Sequence, residues 1–271
     1  MNTLQRTLSS PSFRREHAQQ FQDQSVVDVY HLRRPYPEEL FSILARLVDP
    51  DCRRVLDVGC GTGEIARPMA SRVEHVDAVD FSLAMIAKGK RLAGRDASAL
   101  HWIEGEVETV ALTPPYGLIT AASSLHWMDW SGVLPRFAQV LTPKGVLAII
   151  FEQGGPAGLH LEALGKLVRD SLTNPEYQPF DLIGALTQRG LFAPEGEEWT
   201  EPVPWEQSIP DYVESFHARN GFSRERMGPE AAKAFDTAAA QILGTACPEG
   251  NVPMHLRARV VWGRPGRSGN V

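Results

Sequence analysis

The sequence predicts an α/β protein: a mostly parallel sheet with helices on both faces. Three observations carry this. A short apolar strand at 54–58 runs into the turn Gly59-Cys60-Gly61-Thr62-Gly63, and Ile65, Met69 and Val73 then recur at helical spacing. Further short apolar stretches follow, with helical patterns between them. The stretch 146–151 is apolar throughout and reads as a buried strand. Strands alternating with helices imply parallel strands joined by right-handed crossovers.

The chain has 271 residues, enough for one domain with a large insertion or two small domains. Hydrophobic residues make up 43% and charged residues 22%, the balance of an ordinary soluble globular protein. A net charge of −6 argues against a nucleic-acid partner, which normally leaves a basic stripe. No apolar run reaches the roughly 18 residues of a membrane span, so no membrane association is expected. The first twenty residues lack the apolar core of a secretory signal. Cys52, Cys60 and Cys247 form no CxxC pair, which points to a reducing, cytoplasmic setting. A monomer or homodimer is expected.

Taken in order, residues 1–29 read as a loose N-terminal segment with a helix starting near Phe21. Residues 38–48 form a helix with Leu40, Phe41, Leu44, Leu47 and Val48 on its apolar face, entered through Pro37. After the glycine turn, a second strand ends at Asp80. Ser82 caps a helix over 83–92 that turns Leu83, Ile86 and Ala87 inward. Strands follow at 100–103 and, after the Pro114-Pro115 break, at 118–122. Trp130, Val133, Leu134, Phe137 and Leu141 share a helix face. Residues 142–145 are a turn before the strand 146–151. Beyond it the pattern is less regular: helices at 161–172, 211–219 and 229–243, a loosely alternating strand at 199–209, and a final strand at 254–262. In that strand Leu256, Ala258, Val260 and Trp262 alternate with His255, Arg257, Arg259 and Val261. The division expected is a core over 30–151, a C-terminal part over 152–263 carrying a helical cap near 211–243, and a tail over 264–271.

A glycine turn after a strand serves several chemistries. Glycines let the backbone take positive φ and approach a ligand, and the following helix N-terminus offers unpaired N–H groups. The dinucleotide pattern GxGxxG would need glycine where this chain has Glu64, and the Gly-Lys-Ser/Thr end of a phosphate loop is missing. GxGxG after a strand that ends in an acid resembles the first motif of class I S-adenosylmethionine-dependent methyltransferases. Asp80, 23 residues after Asp57, stands where an acid can accept from both ribose hydroxyls, a site that alone would also suit NAD. Gly105-Glu106 resembles the family's Gly-Asp after the third strand, with a longer acidic arm. LITAASSLHW at 118–127 resembles the fourth-strand motif of its small-molecule branch, and LTPKGVL at 141–147 resembles the family's turn into the fifth strand. The segment 30–37 resembles the lid segment of the trans-aconitate and quinone-biosynthesis branch. The resemblance covers about residues 30–151 and implies a Rossmann-like sheet of seven strands with the last antiparallel, supplied by 254–262.

The resemblance implies S-adenosyl-L-methionine as cofactor, held by Tyr30, Arg34, Asp57, Gly59, Cys60, Gly61, Gly63, Asp80, Phe81, Glu106, Val107 and Ser123. Cys60 is read as a small buried residue in preference to a nucleophile. Tyr36, Trp127 and Trp130 are candidates to line a pocket for a small organic acceptor, or to pack the core. His126, at the carboxyl end of the fourth strand, has the chemistry of a general base near neutrality; the other reading is that it bonds backbone or orients the cofactor. His217 is the alternative base, or a surface-helix histidine. Thr113-Pro114-Pro115-Tyr116 imitates a motif of amine methyltransferases but precedes the strand, so it reads as a turn. No Asp/Asn cluster points to a metal. The competing readings are an NAD-dependent oxidoreductase and a binding module without turnover.

Overall fold

A computed structural model describes residues 15–94, 98–156, 161–174 and 180–266. Residues 1–14 of the expected loose segment 1–29 and residues 267–271 of the expected tail lie outside the described residues, whereas the rest of that segment is largely helical, with helices at Arg15–Ala18 and Gln24–Val29. Packing divides the chain into two compact units: one of Tyr36–Gln153, Pro179–Glu201 and Arg257–Val271, the other of Met1–Pro35, Gly154–Gln178 and Pro202–Leu256.

The first unit holds the sheet. Its strands are β1 (Arg54–Val58), β2 (His75–Asp80), β3 (Leu100–Glu104), β4 (Tyr116–Ala122), β5 (Leu141–Gln153), β6 (Phe192–Trp199) and the Arg257–Pro265 part of β8 (Asn251–Pro265). The order is β3-β2-β1-β4-β5-β8-β6. The first five strands pair in parallel, and β8 runs antiparallel to both β5 and β6. This is the mostly parallel seven-stranded sheet expected, with β8 as its antiparallel strand.

Alternation along the strands builds a core on each face. Val55, Val76, Ala78, Leu118 and Ala148 face helices α1 (Glu38–Leu47) and α2 (Ala66–Ala70), through Leu40, Leu44 and Met69. Leu56, Val79, Ile119, Leu147 and Ile149 face α4 (Trp130–Val140) and α5 (Leu182–Gln188), through Val133, Phe137 and Leu186. Between them in sequence, α3 (Leu83–Ala93) begins at Ser82, whose hydroxyl accepts from the Met85 N–H. Met85, Ile86 and Gly89 of this helix are buried. The expectation of an inward Leu83 is corrected, since this residue is 58% exposed in the first turn.

Two strand assignments also change. β6 lies earlier than expected, because Phe192–Trp199 carries Pro194, Gly196 and three glutamates and shows little apolar alternation. It is the edge strand, where charge discourages further pairing. Glu195 and Glu197 pair across it with Arg264 and Arg259. The alternating stretch near 203–208 is a separate strand, β7 (Val203–Ser208), which pairs with the Asn251–Leu256 part of β8 in the other unit.

Thr113-Pro114-Pro115 precedes β4, which begins at Tyr116. The Tyr116 ring is fully buried, and its hydroxyl donates to Asp77 at 2.5 Å, beside the Thr113 hydroxyl at 2.9 Å.

The second unit is mainly helical. Helices Gln24–Val29, Glu162–Ser171, Ile209–Glu214, Arg224–Met227 and Pro229–Ala246 pack with β7 around Leu164, Tyr212, Phe216, Phe222, Phe235 and Leu243.

Candidate active site

The carboxyl ends of the parallel strands form the candidate site, and Asp80 is its junction. Its side chain is almost fully buried. Oδ2 accepts from the Gly61 N–H and Oδ1 from the Ser82 N–H, each at 2.8 Å. Its own carbonyl accepts from the Gly105 N–H at 2.9 Å. The turns after β1, β2 and β3 are therefore fastened to one residue. Burial is the chief influence on the carboxyl and raises its pKa, against the two N–H donors.

The glycine turn has a definite backbone reason for its composition. Gly59, Gly61 and Gly63 have φ of +65°, +56° and +86°, a region other residues rarely adopt. Gly59 and Gly63 also lack space for a side chain. A Cβ on Gly59 would lie 2.5 Å from the Ser124 Cβ, and one on Gly63 would lie 2.6 Å from Cη2 of Trp102. The Cys60 N–H donates to the Val79 carbonyl at 3.0 Å, laying the turn over the end of β2. The Cys60 thiol is buried, and desolvation together with Asp80 and Asp57 raises its pKa well above the ordinary range. It is not poised as a thiolate nucleophile.

Asp57 lies one residue before the end of β1 and is buried. Oδ1 accepts from the Thr120 hydroxyl at 2.8 Å, while Oδ2 is buried without a hydrogen-bond partner. Burial, the largest influence, pushes its pKa up to about 7. An unpaired buried carboxylate oxygen next to a glycine cradle suits a polar or cationic ligand group.

The other predicted residues are spread over several elements. Phe81 is half-buried beside Asp80, Glu106 is exposed in the turn after β3, and Val107 is buried in the second core. Ser123 directly follows β4 and has φ of +50°. His126 and Trp127 share the single 3-10 turn Leu125–Trp127, with ring centroids 4.4 Å apart, and both are half-buried. Trp130 packs between Phe180, stacked at 6.0 Å, and the Arg189 guanidinium at 5.3 Å, and its Nε1–H donates to the Leu125 carbonyl. Tyr36 packs against the first core.

Tyr30, Arg34 and His217 belong to the helical unit. Arg33 stacks over the Tyr30 ring, and Arg34 donates to the Gly154 carbonyl. His217 is fully buried, which corrects its reading as a surface histidine. Nδ1 lies 2.7 Å from the Phe222 carbonyl and Nε2 lies 2.8 Å from the Asp236 carboxylate. Glu214, His217 and Asp236 group as metal ligands would, but Arg224 pairs with both carboxylates and supplies the cation.

Three supporting residues carry little functional signal in the sequence: Ser124, Thr120 and Trp102. Ser124 directly follows a singled-out serine, and Thr120 was the one polar residue in an apolar strand. Trp102 had no local signal, because its slot is made by Gly63 and Gly89 from two other elements.

Strand order and glycine turn together define an α/β domain whose candidate site lies at the carboxyl edge of the sheet. Residues 55–145 match the family described as a methyltransferase domain. Malonyl-[acyl-carrier protein] O-methyltransferase of Enterobacter lignolyticus is 30% identical over 109 residues, covering 40% of this chain and 42% of that protein. Trans-aconitate 2-methyltransferase of Streptomyces avermitilis is 31% identical over 123 residues, covering 44% of this chain and 45% of that protein. The chain thus spans about half the length of these curated relatives, or less. Among solved structures, a chain from Anaeromyxobacter dehalogenans assigned as a type II methyltransferase superposes with a TM-score of 0.63 at 21% identity, covering 86% of this chain and 97% of that one. Residues 55–145 thus match a methyltransferase domain, and the solved neighbour shares the fold. Among the described residues, no helix is long and apolar enough to cross a membrane.

Proposed function

We propose that the chain methylates a small organic acceptor using S-adenosyl-L-methionine. The observation that carries this reading is the convergence of three turns on Asp80, which puts a buried carboxylate beside a glycine cradle. The residues present fit the cofactor: Asp80 and Glu106 offer acceptors to a nucleoside, Gly59, Gly61 and Gly63 allow close backbone approach, and Asp57 Oδ2 is an orphaned acceptor. When bound, the cofactor supplies an electrophilic methyl group on a sulfonium.

The protein's part is to hold the two reactants in line and to exclude water; well-oriented placement is worth roughly 7–11 kcal/mol. His126 is the proposed base, because it stands on the turn after β4 at the ligand edge of the sheet. His217 is not assigned that part, since both its ring nitrogens already face acceptors.

Calorimetry with S-adenosylmethionine, S-adenosylhomocysteine and NADH tests the reading. Micromolar binding of the two sulfur ligands with NADH silent is expected. Binding of NADH alone would replace it with an oxidoreductase. The acceptor screen starts from carboxylic acids and thioesters, because the relatives are named for trans-aconitate and a malonyl carrier. Tight cofactor binding with no methylation across such a screen would favour a binding module.

A further inference from the structure

Among the described residues, Ser123 is the one non-glycine residue with positive φ, +50°. A left-handed serine at the end of a buried strand is strained, and strain of this kind persists where the surrounding structure enforces it. Sheet pairing does not explain it, because the Ser123 N–H still donates to the Ile150 carbonyl at 3.1 Å. The bend instead determines where the next residue goes. Ser124 is 6% exposed, and its hydroxyl donates to the Val58 carbonyl at 2.6 Å. Val58 is the last residue of β1, immediately before Gly59, so the bond grips the chain where the glycine turn starts. The Ser124 side chain also fills the space that a Cβ on Gly59 would need. Hydroxyl and Cβ therefore set the separation between the end of β4 and the turn after β1.

We infer that Ser124 is a positioning residue for the cofactor cradle and that the strained Ser123 is the bend that delivers it. The inference rests on the reading that this turn holds S-adenosylmethionine. Ser124 acts through the backbone of Val58 and Gly59. A serine that merely fills space would be replaceable by alanine, whereas a positioning serine would not.

The experiment uses full-length wild-type protein with the variants Ser124→Ala and Ser123→Gly. Each is measured for apo melting temperature and for calorimetric affinity toward S-adenosylhomocysteine. Glycine adopts positive φ without strain, so Ser123→Gly is expected to melt no lower than wild type. Because the surrounding structure holds the bend and glycine adopts it freely, Ser123→Gly should keep near-wild-type affinity. Ser124→Ala is expected to bind about tenfold more weakly, the size of one hydrogen bond. An affinity loss in Ser124→Ala with a near-wild-type melting temperature, and none in Ser123→Gly, is a split that a space-filling serine would not produce.

Wild-type affinity in Ser124→Ala overturns the inference, and a melting temperature below wild type in Ser123→Gly overturns the assignment of Ser123 as a strained bend. If Ser124→Ala does not fold, Ser124→Cys, which keeps the volume and weakens the hydrogen bond, takes its place with the same expected affinity loss. Silence of the wild-type protein toward S-adenosylhomocysteine would instead overturn the cofactor reading, and this inference with it.

Discussion

The Gly61 N–H donates to Oδ2 of Asp80 at 2.8 Å, so the middle glycine of the turn after β1 is tied to the last residue of β2. The same carboxylate holds the Ser82 N–H at the start of α3. Asp80 is therefore a structural pin before any ligand arrives, and a ligand hydroxyl would add to bonds already in place.

Asp80→Ala leaves two N–H groups in a buried setting without their acceptor. Each such group costs about 1–3 kcal/mol. We expect a stability loss of about 2–4 kcal/mol in urea melts, and loss of S-adenosylhomocysteine binding by calorimetry. Asp80→Asn retains the shape and one acceptor oxygen and should fall between the two. Undiminished affinity in Asp80→Ala would remove this residue from the site.

Asp57 gives a prediction in pH. Burial raises its carboxyl from 3.8 to about 7 in the folded chain. Between those values the folded chain retains a proton that the unfolded chain has released. The stability this contributes is complete below 3.8 and is lost as pH rises through 7. Asp57→Asn is permanently neutral and keeps an oxygen for the Thr120 hydroxyl. Its melting temperature should exceed that of wild type at pH 8, by roughly 2–4 °C for each kcal/mol, and the difference should shrink at pH 5. Equal differences at the two pH values would show that Asp57 does not titrate in this range.

Gly63 and Trp102 should be coupled. Gly63→Ala meets two obstacles, a φ of +86° and a Cβ only 2.6 Å from the indole. The left-handed backbone alone is worth about 1–2 kcal/mol, and overpacking adds about 1–3 kcal/mol. Trp102→Leu in the same chain should recover the second part and leave the first. A double-mutant cycle should therefore give a coupling energy of about 1 kcal/mol or more. Strict additivity would mean that the indole moves aside easily and that the third glycine is needed for its backbone alone.

What the sequence disclosed of this fold follows from the range of the forces involved. β1, β4 and the 145–150 part of β5 are buried on both faces and carry apolar stretches that can be read locally, while β2 is equally buried but interrupted by Asp77 and Asp80. β6 is an edge strand, and solvent accepts its glutamates, so Phe192–Trp199 carries little apolar alternation to mark it. Leu83 looked inward by its spacing from Ile86, but as the first residue of α3 it is exposed while Met85, Ile86 and Gly89 are buried. Within the candidate site, glycines and strand-end acids announce themselves because backbone and ligand geometry restrict the choice at those positions. The Ser124–Val58 bond, 66 residues apart in sequence, and the Trp102 slot arise only when distant elements meet. His217 is the instructive reverse: its type invited a catalytic reading, while its surroundings of Phe222, Phe235 and Asp236 are set by the helical core.

His126 supplies the last prediction, which separates binding from chemistry. Its turn follows β4 directly, and its ring lies against Trp127, so a glutamine can replace it without opening a buried core. If His126 accepts the acceptor's proton, His126→Gln should lower kcat by about 10²–10⁴-fold. Affinity for S-adenosylhomocysteine should stay near the wild-type value, and the limb of the pH–rate profile that reports the base should vanish. An acceptor that is already deprotonated, such as a carboxylate, needs no base. For such an acceptor the same variant should lose little kcat and have an unchanged pH profile. Turnover on the identified acceptor, compared between wild type and His126→Gln across pH, would therefore report both the role of the histidine and the protonation state of the group that is methylated.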